Sequence, residues 1–200
     1  MRYEDWDVLL FPRDCKIPIK EFKVACHVVH DAEFSHTHGS FGLPTVCCFV
    51  PSLAAGAPFQ ISIHSWYTPP SVSQYAKSYS NFPETVTFEA RLFIDGRLVA
   101  STVLDRMMTA WPHIIAHSFG LPKNGELDCL KFPSFRREVL QQSFWSPADD
   151  MGRIKLVISE GFPRDSLSMP IERVKNVVTF SFQHAPLGEW PQPLTMLVRD

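Results

Sequence analysis

Four of the chain's eight histidines fall in one short stretch, Cys26-His27-Val28-Val29-His30-Asp31-Ala32-Glu33-Phe34-Ser35-His36-Thr37-His38-Gly39. His36 and His38 stand two apart, so on an extended segment their imidazoles share a face and can reach one metal ion. His30, Asp31 or Glu33 would complete such a site. The chemistry would be that of a small metal-dependent enzyme, with a transition metal such as zinc activating water or holding an open position for oxygen. His27 and His30 flank a strand end on opposite faces, which sets them against acting together. The reading we prefer is plainer: a His-rich loop whose imidazoles face water, with no cofactor.

Other chemistries have less to stand on. Cys47-Cys48 lies in the strand-like run 46–50, where alternation buries one thiol and exposes the other, and a buried thiol is usually inert. The sequence holds no Gly-x-Ser-x-Gly elbow and neither of the glycine-rich phosphate loops. Aromatic residues are more suggestive. Trp66, Tyr67, Tyr75, Tyr79 and Phe82 crowd a polar loop, and Trp190 opens an apolar run to Val198. Aromatic loop residues make a contact surface for a protein partner or for self-association at low entropic cost. Alternatively they fold back as a lid over one end of the domain.

The elements that must position these residues follow a period of two. Val86, Phe88, Ala90, Leu92 and Ile94 alternate with mainly polar partners, and Asp95-Gly96 leads at once into 97–104. This predicts an antiparallel hairpin over 85–104, the five apolar side chains facing the core and Glu89 and Arg91 facing water. The same alternation runs through Phe22, Val24, Cys26 and Val28, through Phe59, Ile61 and Ile63, through Ile154, Leu156 and Ile158, and through Val178, Phe180 and Phe182. Shorter strand candidates lie at 46–50, 113–119 and 138–144. Helical signals are confined to 71–80 and 164–174, the second interrupted by Pro170. Eight or nine short strands with little helix predict an all-β fold, a two-sheet antiparallel sandwich or jelly roll with long irregular loops. One domain over 1–200 is expected, with an extended C-terminal tail from about 185.

Composition narrows the partners. No stretch approaches the roughly 18 apolar residues of a membrane span, and a formal charge of −2 opposes a nucleic-acid binder. Nucleic-acid binding through a sheet face, using Lys20, Lys23, Arg136 and Arg137, therefore ranks last. Val8-Leu9-Leu10-Phe11 is too short for a secretory core, the five cysteines are irregularly spaced, and no Asn-x-Ser/Thr acceptor occurs. An intracellular protein, cytoplasmic or nuclear, is expected.

Phe59-Gln60-Ile61-Ser62-Ile63-His64, Ala90-Arg91-Leu92-Phe93-Ile94-Asp95-Gly96-Arg97 and Met151-Gly152-Arg153-Ile154-Lys155-Leu156-Val157-Ile158 carry a resemblance. Over roughly 45–160 the chain resembles an uncharacterised domain family widespread in filamentous fungi. The resemblance implies a β-sandwich and a fungal origin and brings no activity with it. The His-x-His is also similar to that of the cupins, but Gly39-Ser40-Phe41-Gly42 stands where their glutamate belongs. A non-catalytic protein-interaction domain is the expectation that remains.

Overall fold

The computed structural model describes residues 1–34, 42–80, 82–105, 111–119, 127–165 and 170–186. Among these, ten strands form two sheets. The smaller has the order β1 (Arg2–Tyr3), β2 (Trp6–Pro12), β5 (Phe59–Ser65), β8 (His113–Ile115). The larger has the order β3 (Phe22–His30), β4 (Gly42–Pro51), β10 (Ile171–Ala185), β9 (Arg153–Pro163), β6 (Thr87–Ile94), β7 (Arg97–Leu104). Neither sheet closes on itself, so the architecture is the expected sandwich and not a barrel.

Alternation explains how the two sheets meet. Phe88, Ala90 and Leu92 of β6, Ile154, Leu156 and Ile158 of β9, and Val178, Phe180 and Phe182 of β10 all turn the same way and are buried. They meet Trp6, Val8 and Leu10 of β2 and Ile61 and Ile63 of β5 in one core. Trp6 stands edge-on to Phe88 across the gap, ring centroids 5.0 Å apart. The hairpin expected over 85–104 is present, with Phe88 opposite Leu104 and Ile94 opposite Arg97. Its turn takes φ of 49° at Asp95 and 75° at Gly96. Positive φ at both central residues is what a type I′ turn requires.

Four expectations need correction. The larger sheet is mixed, because β10 runs parallel to β4. A parallel neighbour needs a long crossover, and the whole chain between β4 and β10 supplies one. Residues 138–144 are not a strand, since 137–141 form a 3-10 turn. The helix expected over 164–174 gives way to β10 from Ile171, which pairs with Pro163 and needs no helix to return the chain; residues 166–169 lie outside the described residues. Cys47 and Cys48 are both buried, because the outer face at Cys47 is covered by Arg153. Burial raises both thiols, and for Cys47 this exceeds the opposing effect of Arg153. Both are therefore protonated, unreactive thiols at neutral pH. The short helix expected within 71–80 is present as α1 (Gln74–Tyr79), and the tail beyond 186 lies outside the described residues.

One buried base sets a pH dependence. His184 is 1% exposed, its Nδ1 is 2.9 Å from Ser52 Oγ, and its Nε2 has no partner among the described residues. The edges of Phe132 and Phe135 surround the ring. Burial lowers its pKa, so the native state holds it neutral while the unfolded chain takes up a proton below about pH 6.5. Unfolding then binds protons, and stability is complete above that pH and falls as the pH drops through the window below it. His113, also lowered by burial, adds in the same direction. Urea midpoints measured from pH 7.5 down to 5 should fall, and His184→Gln should flatten part of that slope. An unchanged slope in the variant would rule out His184 as a source.

Candidate functional site

The outer face of the larger sheet, expected to be solvated, carries a buried polar network. Glu89 and Arg91 point outward as their alternation requires, yet they are 5% and 8% exposed. The turn after β3 closes over them. Arg91 donates from Nη1 and Nη2 to the two oxygens of Glu33, at 3.1 and 2.7 Å, a two-pronged pairing that fixes geometry as well as charge. It also reaches Ser159 Oγ at 3.1 Å and Asn176 Oδ1 at 2.9 Å. Arg173 bridges Glu33 and Glu89, each at 3.0 Å, and Ser101 donates to Glu89. Asn176 Nδ2 donates to both oxygens of Asp31 and to Glu33.

Asn176 reaches this network through irregular backbone. By strict alternation it would share the inward face of Val178 and Phe180. Register shifts lie between Arg173 and Lys175 and between Asn176 and Val178, and they turn its amide to the outer face opposite Ser159. Bulges commonly re-aim a side chain in this way. A close approach of β9 accompanies them, for a Cβ on Gly161 would lie 2.3 Å from the Glu172 carbonyl oxygen.

Chemically, the network clamps. Burial opposes ionisation of Glu33, but the hydrogen bonds and charge of Arg91, with Asn176 and Arg173, outweigh it and hold the carboxyl below its ordinary value. A carboxylate held ionised between two guanidinium groups is a poor proton donor and a poor base. Its consequence is mechanical: it ties the 31–34 turn, and hence the end of β3, to the sheet.

The residues expected to hold a metal are divided by this arrangement. His30 is the exposed last residue of β3, Asp31 and Glu33 are turned into the network, and His36 and His38 lie outside the described residues. Among the described residues no three His, Cys, Asp or Glu side chains are grouped as metal ligands. The aromatic residues also divide. Trp66 and Tyr67 are exposed, with the Arg2 guanidinium 4.6 Å over the Trp66 ring. Tyr75 packs against the core, and Tyr79 stacks on Phe162 at 5.8 Å. Their helix α1 is pinned to the sheet by the buried Glu160 carboxylate, which accepts from Ser73 N and Oγ at 2.6 and 2.5 Å. Trp190 lies outside the described residues.

A surface the sequence reading passed over is strand β3 itself. Cys26 pairs with the core residue Val46 and Val28 with Pro44, so Cys26 and Val28 face the side that is core elsewhere in the sheet, and Val24 lies at the bulge before Ala25. They are nonetheless exposed, Val24 by 51% and Val28 by 76%. The expected burial fails at the outermost strand of a six-stranded sheet, where the facing sheet has only four strands. Beside it, on the outer face, lies a shallow groove of about 210 Å³ lined by Val29, Leu43, Phe93, Pro147 and Val157.

A family model described as "Domain of unknown function (DUF8498)" matches residues 1–191. The chain belongs to the DUF8498 family. An uncharacterised domain family is expected from the strand and hairpin motifs over 45–160, and the matching family is uncharacterised and spans nearly the whole chain. Comparison of this DUF8498 chain with curated proteins and with solved structures returned no match.

Proposed function

We propose that this DUF8498 domain is a non-catalytic protein-interaction module of the cytoplasm or nucleus that engages its partner along strand β3. The observation that carries the reading is the exposure of Cys26 and Val28 on a face that is core in the neighbouring strands, with Val24 exposed at the bulge beside them. An edge strand also presents a row of backbone donors and acceptors, and extended segments commonly add to such an edge. The clamp on the 31–34 turn supports the reading, because it holds the end of β3 rigid before a partner arrives and so reduces the ordering cost of binding. Five free cysteines suit a reducing compartment. The resemblance to fungal domains supports a fungal origin.

A photo-crosslinking residue at position 28, compared with one at the exposed Glu84, tests the site. Crosslinked adducts of defined mass are expected at 28 and not at 84, in native-host extract or in concentrated pure protein. Equal yields at both positions, or none at either, would overturn the reading. So would about one equivalent of zinc on untagged protein, the occupancy of a genuine site, which would favour a metal-dependent enzyme using His30, His36 and His38.

A further inference from the structure

We infer that the partner along β3 is a second copy of this chain, paired antiparallel about Cys26 so that the two larger sheets run on as one. The inference rests on the reading of β3 as the interaction edge and adds the identity of its occupant.

Self-pairing across a two-fold axis demands a strand that reads alike in both directions. About Cys26, β3 does. Val24 falls opposite Val28 of the second copy, Cys26 opposite itself, and Val28 opposite Val24, so the uncovered stripe meets an identical stripe. Directly opposed apolar residues on one face are the pairs that stabilise antiparallel sheets. A two-fold axis at His27 would instead set Val24 against His30.

Charge agrees with this direction. Between Lys23 and Asp31 the strand carries no Asp, Glu, Lys or Arg, so the centre of the pairing meets no like charges. Its two ends differ in sign. Lys20 and Lys23 stand at the start, where the carboxylate of the intervening Glu21 is taken by the Met1 ammonium at 2.7 Å, whereas the end leads into a cluster with three carboxylates, Asp31, Glu33 and Glu89, against two guanidinium groups, Arg91 and Arg173. Antiparallel pairing lays the basic end of one copy beside the acidic end of the other, while parallel pairing would set like ends together.

The backbone limits the contact. A bulge lies between Phe22 and Ala25, with φ of 51° at Lys23, and from Ala25 onward the pairing with β4 is regular. Bulges near the end of an edge strand stop indefinite edge-to-edge growth. Regular pairing is therefore confined to about residues 25–27 around the axis, with Val24 at the bulge and Val28 flanking it, and a closed, concentration-dependent dimer follows.

Sedimentation velocity of the full chain over a range of protein concentrations should show reversible monomer and dimer. Because residue 26 faces itself, Cys26→Lys and Cys26→Glu should each weaken association by ~10-fold or more, since like charges directly opposite are destabilising. Mixing the two variants should restore a dimer, and Cys26→Ser should leave association unchanged. Position 26 is exposed, so each variant should fold, which far-ultraviolet circular dichroism checks. A wild-type chain that stays monomeric, or charge variants that associate as wild type does, would overturn the inference. A dimer formed only after truncation at 186 would overturn it too, because the residues beyond would then be the occupant. Monomeric protein that still gives heavier adducts at position 28 in extract would sink self-pairing while leaving the interaction reading in place; no adducts of any kind would remove both.

Discussion

Arg91→Ala should destabilise the domain by about 2–4 kcal/mol, because removing one member of a buried ion pair leaves its partners uncompensated. The guanidinium serves Glu33, Ser159 and Asn176 together. Without it Asn176 Oδ1 keeps the Ser159 hydroxyl, and Glu33 keeps Arg173 and the Asn176 amide. The loss is therefore large without being the full cost of a stranded charge. Glu89→Ala should cost less, about 1–2 kcal/mol, since it strands Ser101 and an Arg173 that retains Glu33 and some access to water. Urea melts of both variants decide the matter. If Arg91→Ala lies within about 0.5 kcal/mol of wild type, as an exposed strand position would, the network does not hold the β3 turn. Glu33→Gln combined with Arg91→Ala should cost less than the sum of the two single changes, because the pair is in direct contact.

Facing was legible in the sequence, and cover was not. Alternation assigned inward Val86, Phe88, Ala90 and Leu92 correctly, and placed Glu89 and Arg91 outward, where they are. Whether a face meets water depends on what lies over it, and that information comes from distant chain. Glu33, 58 residues before Arg91, covers the outer face of β6. The opposite error arose at β3, where alternation read Val24, Cys26 and Val28 as half-buried. The orientation of Cys26 and Val28 follows from pairing with β4, but the exposure of all three belongs to the outermost strand of the sheet, a position that no local pattern encodes.

The polar network escaped the sequence reading for a related reason. Asp31 and Glu33 stood out only as possible metal ligands beside His30, because carboxylate and imidazole at short spacing are read as one site. Their partners come from β6, β9 and β10, and Asn176 lies in phase with core residues until a bulge turns it. A bulge leaves little trace in a single sequence beyond Gly161, whose missing Cβ admits the Glu172 carbonyl. The Asp95-Gly96 turn and the inward face of β6 were legible, since turn chemistry and alternation agree there, but the bulge that sets Leu92 opposite Ala100 and Phe93 opposite Leu98 was not.

Phe88→Ala is expected to cost about 3–5 kcal/mol, the usual range for truncating a buried aromatic residue. Phe88 is fully buried, opposite Leu104 on β7, and its ring meets Trp6 of the facing sheet at 69°. The loss has two parts, the transfer free energy of the ring and the cavity left between two sheets that other side chains keep apart. Collapse is hindered because Ile61, Ile63, Leu92 and Leu156 hold the sheets at their spacing. Phe88→Leu keeps most of the volume and should cost less than half as much. Phe93→Ala, on the outer face of the same strand and half-buried, should cost about 1 kcal/mol, the ordinary size of a point substitution. Urea midpoints should shift with unchanged slope, since each variant exposes the same surface on unfolding. Equal costs for positions 88 and 93 would mean that β6 does not carry the core between the sheets, and the inward assignment of Leu92 and Ala90 would fall with it.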